Sequence, residues 1–283
     1  MLKNFLSLVL FVFSFLASAQ NLTEKTLLWK VSGNGLDKAS YVFGTYHMMC
    51  KDDFQVKEKV TKALSETQNY VMEINFADPV QMAELQKPST DAKKVGDVLS
   101  KEQIDIFKEN LPKIGLTYEM AAGMDLLAFN SMVMIKLFPC EMTDLRMLDL
   151  DLMMKAMANK MTLNGLETAK QQKEILGSFL TPKDMVKVVA DLEGNKTKSM
   201  LLTKTYLAED LQELDKMMKD PKEITKEQER ILLSDRNIDW VAKMPTIMKE
   251  KPTFFAVGAG HLSGNEGVLN LLKEKGYTIT PIF

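Results

Sequence analysis

Both histidines of this chain, His47 and His261, lie in the same short pattern. Each ends a Gly-x-x-His motif, beginning at Gly44 or Gly258, that follows an apolar run typical of a buried strand. Glycine permits a sharp turn, and binding crevices form at the carboxyl ends of strands in open α/β sheets. Imidazole is a common metal ligand and a general base near neutral pH. One such histidine alone would favour a structural role, but the repeated motif favours a site that both share.

Glu73 is the natural third member of this site. It stands in the run 70–76, which we expect to form an apolar strand. A carboxylate there must face solvent together with Asn75, by strand alternation, or find a partner, because burying it alone is costly. Two imidazoles and a carboxylate would make an open metal site. The same groups could activate water without a metal, and the spacing leaves both mechanisms open.

Several catalytic motifs are missing from the sequence. It has no His-Glu-x-x-His pair of helical metal ligands and no Gly-x-Ser-x-Gly nucleophile elbow. Gly258, Gly260 and Gly264 do not have the spacing of a dinucleotide-binding loop. These absences argue against a helical zinc protease, a serine hydrolase of that type and a nucleotide-binding enzyme.

The first nineteen residues have the pattern of a secretory signal peptide. Lys3 precedes an apolar stretch, and Ala17-Ser18-Ala19 is the small-x-small pattern at which signal peptidase cuts. The stretch is too short to span ~30 Å of hydrocarbon. We expect residues 1–19 to be removed before Gln20, which leaves a domain of residues 20–283 without stable membrane insertion. We expect this domain to be periplasmic or secreted.

Charge and cysteine content limit the partners and the compartment. The formal net charge of −2 argues against a nucleic-acid partner, which would favour a basic excess. The only two cysteines, Cys50 and Cys140, could pair in an oxidising compartment. The sequence does not tell whether their Cα atoms lie close enough to do so.

The order of the elements predicts an α/β or α+β domain. Runs 27–31 and 40–44 read as a hairpin whose turn is Gly33-Asn34-Gly35. The middle is helical, with a helix at 148–158 and two or three long charged helices over 183–249, whose charges we interpret as solvated faces. Two further strands are expected at 253–258 and 277–281. The two terminal strand regions should therefore meet in one sheet, with helices around it.

These residues together resemble the TraB/PrgY/GumN family, which includes the Tiki proteases. The matching segments are 29–31, 40–47, Glu73, Leu148-Asp149, 165–168 with Gln171 or Gln172, Arg236-Asn237, 256–262, Gly267, Leu271-Leu272 and 276–277. The resemblance implies an erythromycin-esterase/ChaN-like α/β fold. In that fold a single domain of two pseudo-symmetric halves, with central sheet and flanking helices, encloses a cleft.

The resemblance also implies roles for particular residues. His47, Glu73 and His261 become the candidate metal ligands and catalytic groups. Arg236 would stabilise an oxyanion or bind a substrate carboxylate; the alternative is an ion pair with a helix neighbour, Asp235 or Glu229. Glu167 would orient one of these groups or serve as a structural carboxylate.

The leading functional hypothesis is an exported metal-dependent hydrolase, a peptidase or amidase that acts on a peptide or another small molecule. Manganese or cobalt is implied by the Tiki proteases, and zinc would suit the same ligands. One alternative is a protein that binds a peptide or haem without turnover, as PrgY-like and ChaN-like relatives suggest. Another is a metal-free esterase. The sequence predicts no oligomeric state.

Overall fold

The computed structural model describes residues 24–87 and 93–283. The expected signal peptide, residues 1–19, lies outside the described residues. Within the described ranges, none of the helices combines the length and the apolar character needed to cross a membrane.

The predicted α/β class is confirmed by a central six-stranded sheet with helices around it. The strands of the described ranges are β1 (Leu28–Ser32), β2 (Ser40–Thr45), β3 (Met49–Cys50), β4 (Asn69–Met72), β5 (Leu145–Arg146), β6 (Thr162–Gly165), β7 (Thr253–Gly258) and β8 (Thr278–Ile282). The sheet has the order β6-β4-β7-β2-β1-β8. Strands β6, β4, β7 and β2 run parallel, whereas β1 is antiparallel to both of its neighbours. Strands β3 and β5 form a separate short ladder.

Helices occupy most of the remaining chain. Within the described ranges the α-helices are α1 (Glu58–Ser65), α2 (Pro79–Gln86), α3 (Val95–Val98), α4 (Lys101–Asn110), α5 (Tyr118–Ala122), α6 (Leu126–Lys136), α7 (Leu148–Ala158), α8 (Ala169–Phe179), α9 (Pro182–Ala190), α10 (Leu192–Leu207), α11 (Leu211–Met218), α12 (Lys226–Glu229), α13 (Asp235–Glu250) and α14 (Val268–Glu274). Leu111–Ile114, Met142–Asp144 and Ala259–His261 form 3₁₀ turns, and Arg230–Ser234 is a π-helical segment directly before α13.

The N-terminal hairpin and the meeting of the two terminal regions are confirmed. Gly33, Asn34 and Gly35 have φ angles of 79°, 48° and 77°. This left-handed backbone suits glycine and asparagine and reverses the chain between β1 and β2. Strand β1 also pairs with β8, so the last strand closes the sheet beside the first one.

The interpretation of residues 183–249 as two or three long helices is right for α10 and α13, which have 16 residues each, but it misses three shorter helices. This stretch contains α9 to α13 and the π-helical segment. Two of its acidic residues are helix caps: Asp191 accepts a hydrogen bond from the Gly194 amide at 3.0 Å, and Asp210 accepts one from the Glu213 amide at 3.1 Å. Aspartate at these positions satisfies amides that the first turn leaves free, and therefore starts a new helix inside a charged run.

The two Gly-x-x-His motifs pack against each other. Strand β2 pairs with β7 so that Thr45 lies opposite Gly258. A Cβ atom on Gly44 would lie 2.7 Å from Leu262 Cδ1 and 3.1 Å from Ala259 Cα. Any larger residue than glycine would push the two motifs apart, so this contact sets the spacing between the strand ends that carry the histidines.

Candidate active site

Four parallel strands end at one edge of the sheet, and a polar residue of interest follows each of them. Thr45 ends β2 ahead of His47, Glu73 follows β4, and His261 follows β7. Glu167 follows β6, and its amide donates to the Glu73 carbonyl at 3.0 Å. The carboxyl edge of the parallel strands is therefore where the predicted residues come together.

His47, Glu73 and His261 converge on the backbone of Gly258. A Cβ atom at Gly258 would lie 3.2 Å from Glu73 Oε1, 3.5 Å from His47 Nε2 and 3.6 Å from His261 Cδ2. The three side chains thus surround one point, although they are far apart in the sequence. The structure brings together the three residues that the sequence selects.

His47 is held by a carboxylate that sequence reasoning left without a role. Its Nδ1 lies 3.0 Å from Asp149 Oδ2, and Asp149 Oδ1 accepts a hydrogen bond from Thr45 Oγ1 at 2.6 Å. Asp149 is buried at the start of α7. Because an ionised carboxylate only accepts hydrogen bonds, Nδ1 of His47 carries a proton and Nε2 faces the centre of the site.

Asp149 also sets the charge of His47. Burial of the ring opposes its protonation, but 62% of the side chain is exposed, so this opposition is incomplete. The hydrogen bond and the negative charge of Asp149 outweigh it and raise the pKa of His47 to about 9. At neutral pH, without a metal, the imidazole is therefore positively charged and accessible to solvent.

His261 is in the opposite state, buried and neutral. Its Nδ1 lies 2.6 Å from Asn237 Oδ1, and Asn237 Nδ2 donates to the Glu266 carbonyl at 2.8 Å, which fixes the amide orientation. Nδ1 of His261 therefore donates, and Nε2 accepts a hydrogen bond from Arg236 Nη1 at 3.1 Å. Burial lowers the pKa of His261 to about 3, and the charge of Arg236 adds to this effect against the opposing charge of Glu73.

Glu73 is a buried carboxylate with partners on both oxygens. Oε1 accepts from the Gly258 amide at 2.8 Å, and Oε2 accepts from Arg236 Nη2 at 2.7 Å and from Gln172 Nε2 at 3.1 Å. Burial alone would raise the pKa of Glu73, but the positive charges of His47 and Arg236 and the hydrogen bond from the Gly258 amide hold it below its ordinary value. Strand β4 ends at Met72, so the strand alternation considered for Glu73 does not apply. Of the two alternatives, the buried carboxylate with a partner is the one found.

Arg236 uses all of its donors on groups of the protein. Nε donates to Glu167 Oε2 at 3.2 Å, and Nη2 donates to Glu167 Oε1 at 2.6 Å and to Glu73. Nη1 donates to the Leu232 carbonyl at 3.0 Å and to His261. A guanidinium has five N–H groups, and these contacts occupy all of them. The oxyanion role of Arg236 stays a prediction that requires one of these contacts to open.

The helix neighbours considered as ion-pair partners of Arg236 are not its partners. Asp235 pairs with Arg230, and Glu229 pairs with Lys226. Arg236 instead reaches the ends of β4 and β6 and connects them to α13.

A family model covers residues 27–281 and is described as the TraB/PrgY/gumN family. The chain belongs to this family. Neither the curated proteins nor the solved structures compared with the chain include a match. Family membership agrees with the resemblance that the sequence shows, and His47, Glu73 and His261 are among the residues that carry that resemblance.

Glu167 and Gln172 complete the inner side of the TraB/PrgY/gumN site. Gln172 Nε2 donates to Glu167 Oε1 at 2.9 Å as well as to Glu73, so one amide group connects the two carboxylates. The Arg236 guanidinium contacts the same two carboxylates and neutralises part of their charge. Glu167, considered from sequence as an orienting or structural carboxylate, therefore lies next to the site and contacts Arg236.

The donor atoms of the site suit a divalent ion, with two conditions. Two imidazole Nε2 atoms and a carboxylate are the ligand types of an open zinc-like site, and acceptors on both Nδ1 atoms resemble those that orient metal-bound imidazoles. However, Nη1 of Arg236 occupies the lone pair of His261 Nε2. Within residues 24–87 and 93–283, no three His, Cys, Asp or Glu side chains are already spaced to hold an ion. Metal binding therefore requires Arg236 to release His261, and it also requires the His47 imidazolium to lose its Nε2 proton.

Proposed function

We propose that this TraB/PrgY/gumN protein is an exported hydrolase that cleaves an amide or peptide bond at the site formed by His47, Glu73 and His261. The observation that supports this most is the convergence of the three side chains on Gly258 from three neighbouring strand ends. This site, at the carboxyl edge of the parallel strands, contains both a group that can carry a proton, His47, and a cluster of charged groups, Glu73 with Arg236.

Nε2 of His47, Nε2 of His261 and the Glu73 carboxylate would hold a manganese, cobalt or zinc ion. When bound, such an ion polarises a carbonyl and lowers the pKa of a water molecule. Asp149 and Asn237 keep the Nδ1 protons of the two imidazoles in place, so that Nε2 is the atom of each ring that would bind the ion, once His47 has lost its Nε2 proton and Arg236 has released His261.

Access to the site favours His47 as the group that meets the substrate. Its side chain is 62% exposed, whereas Glu73, Glu167, Arg236 and His261 are all buried. A substrate carbonyl can therefore approach from the His47 side, with Glu73 and Arg236 behind the reacting centre.

Metal-free hydrolysis is a second candidate, and the Arg236 contacts favour it. In the arrangement described, the guanidinium already supplies positive charge to Glu73 and to His261 Nε2. His47, protonated because of Asp149, would then hold a proton at Nε2 for the leaving group.

Metal content measured by mass spectrometry separates these candidates. The wild-type protein is stripped, refilled separately with manganese, cobalt or zinc, and compared with His47→Ala, His261→Ala and, as a surface control, Lys275→Ala. About one ion per chain in the wild type and in the control, lost in both histidine variants, supports the metal-dependent hydrolase.

A peptide and ester substrate screen on the same four proteins provides the second readout. Turnover that survives chelation supports the metal-free reaction. Stoichiometric capture of a peptide or haem without cleavage would contradict the hydrolase hypothesis and support a binding protein instead. Full turnover by His47→Ala contradicts both hydrolytic candidates.

A further inference from the structure

A disulfide joins Cys50 to Cys140, with 5.9 Å between the two Cα atoms. Cys50 lies in β3, three positions after His47, and Cys140 lies in the segment that leads into β5 and then to Asp149. We propose that this disulfide positions His47 relative to Asp149, so that the pair forms fully only when the two cysteines are oxidised.

The two segments that the disulfide joins have few other links to each other. Strands β3 and β5 pair at only two positions, Met49 with Arg146 and Cys50 with Leu145, and the Lys51 amide donates to the Asp144 carbonyl at 2.8 Å. A two-stranded ladder of this size is marginal in water. The covalent bond is therefore the strongest link between β3 and β5, on the C-terminal side of His47; on its N-terminal side, Thr45 at the end of β2 donates to Asp149 Oδ1 at 2.6 Å.

The two members of the pair depend on this constraint to different degrees. Asp149 is anchored independently, because Leu148 and Leu152 of α7 are buried in the core and Tyr70 Oη donates to the Asp149 carbonyl at 3.2 Å. The His47 ring is mostly exposed, and its hydrogen bond within the described residues is to Asp149. Loss of the disulfide should therefore displace His47 and leave Asp149 in place.

The displacement should be local. Tyr46 stacks on Tyr206 with 5.1 Å between ring centroids, and Met49 is buried in the core. These contacts retain the segment on the sheet after reduction, so the fold persists while the His47–Asp149 distance is no longer fixed.

A cavity lies beside the disulfide. Cys50 borders a cavity of about 430 Å³ whose lining includes Phe138, Thr203 and Lys204. A dithiol that attacks one sulfur forms a mixed disulfide, and its second thiol then closes its own disulfide and releases both cysteines as thiols. The dithiol is thereby oxidised by two electrons, and the protein disulfide is reduced by two.

The test is an NMR measurement of the imidazole Nδ1–H signals on metal-free protein, which needs no substrate. The chain has two histidines, so His47 reports the proposed effect and His261, bonded to Asn237, is the internal control. Oxidised wild type is compared with dithiol-reduced wild type and with Cys50→Ser/Cys140→Ser, and a thiol titration verifies complete reduction. We expect the His47 signal to be lost and the His261 signal to persist in both reduced forms.

Other outcomes overturn the proposal. An unchanged His47 signal in fully reduced protein means that the disulfide does not position the ring. Equal loss of both signals, or failure of both reduced forms to fold, means that the bond supports the whole fold and not this pair. Only one consequence of this inference, an activity that depends on the redox state of the disulfide, rests on the proposed function. A protein without hydrolytic turnover can therefore still pass or fail this test.

Discussion

Nη1 of Arg236 lies 3.1 Å from Nε2 of His261, so a guanidinium donates a hydrogen bond to an imidazole at the centre of the site. This contact requires His261 to be neutral, because a protonated ring has no lone pair to accept it. It also means that the charge of the inner site comes from Arg236 between Glu73 and Glu167, and not from His261.

The neutral state of His261 predicts a loss of stability in mild acid. Its pKa is lowered to about 3 in the folded protein and returns to about 6.5 on unfolding. The stabilising contribution is therefore complete above about pH 6.5 and is lost as the pH falls toward 3. The free energy of unfolding should drop on the order of 3 kcal/mol between pH 7 and pH 4 from this residue.

Urea unfolding of metal-free protein at several pH values measures this drop. In His261→Gln the decline over this range should be smaller, because glutamine does not titrate. An identical decline in both proteins would show that His261 does not control the acid limit.

Arg236→Ala should be strongly destabilising. The substitution leaves Glu73 and Glu167 buried without their common cation, and breaking a buried ion pair in this way costs about 3–5 kcal/mol. Arg230 provides a matched control, because it pairs with Glu227 and Asp235 on the exposed surface. Arg230→Ala should change the free energy of unfolding little in the same denaturant titration, because an exposed ion pair contributes little to stability. Similar losses in the two variants would contradict the role assigned to Arg236.

Local patterns in the sequence were sufficient to select His47 and His261 as candidate site residues and to predict the strands before them. Apolar runs predict β2 and β7. The motif glycines lie where two segments of the chain approach closely, as Gly44 does at Leu262. The terminal hairpin follows from Gly33-Asn34-Gly35 in the same way. Each of these features depends on residues that are adjacent in the sequence, so a local pattern is enough to predict it.

The groups that orient the site could not be predicted in this way. Asp149 lies 102 positions from His47, and Gln172 lies 99 positions from Glu73. Each is a polar residue in a helical segment and looks like part of a solvated face until the fold places it against a strand end. Proximity in the sequence likewise suggested Asp235 and Glu229 as partners of Arg236, whereas the partners found, Glu73 and Glu167, follow two strands far away in the chain.

Asp149→Asn should lower the pKa of His47 from about 9 toward the ordinary value near 6.5. The amide removes the negative charge that favours the imidazolium. Because the folded pKa is raised, the pair stabilises the protein below about pH 6.5 and this contribution is lost as the pH rises through about 9. The ring is mostly exposed, so the contribution should be at most about 1 kcal/mol.

A histidine NMR titration of metal-free protein tests this effect, with Asp151→Asn on the same helix as the control. Within the described residues, His47 forms its hydrogen bond and ion pair with Asp149 and not with Asp151, so that variant should retain the wild-type titration. A raised pKa that persists in Asp149→Asn would mean that another group controls the charge of His47.

Gly258→Ala should inactivate the site while the fold persists. Gly258 has a φ of −52°, which an alanine adopts without strain. Its new methyl group, however, would lie 3.2 Å from Glu73 Oε1 and 3.5 Å from His47 Nε2, where the three functional side chains converge. Gly123→Ala is the matched control, because no atom lies within 4 Å of its Cβ position. We expect Gly258→Ala to lose metal uptake and turnover with a small change in thermal unfolding, and Gly123→Ala to retain both. Normal uptake and turnover in Gly258→Ala would show that the reaction takes place elsewhere, because a filled centre cannot admit an ion or a reacting carbonyl.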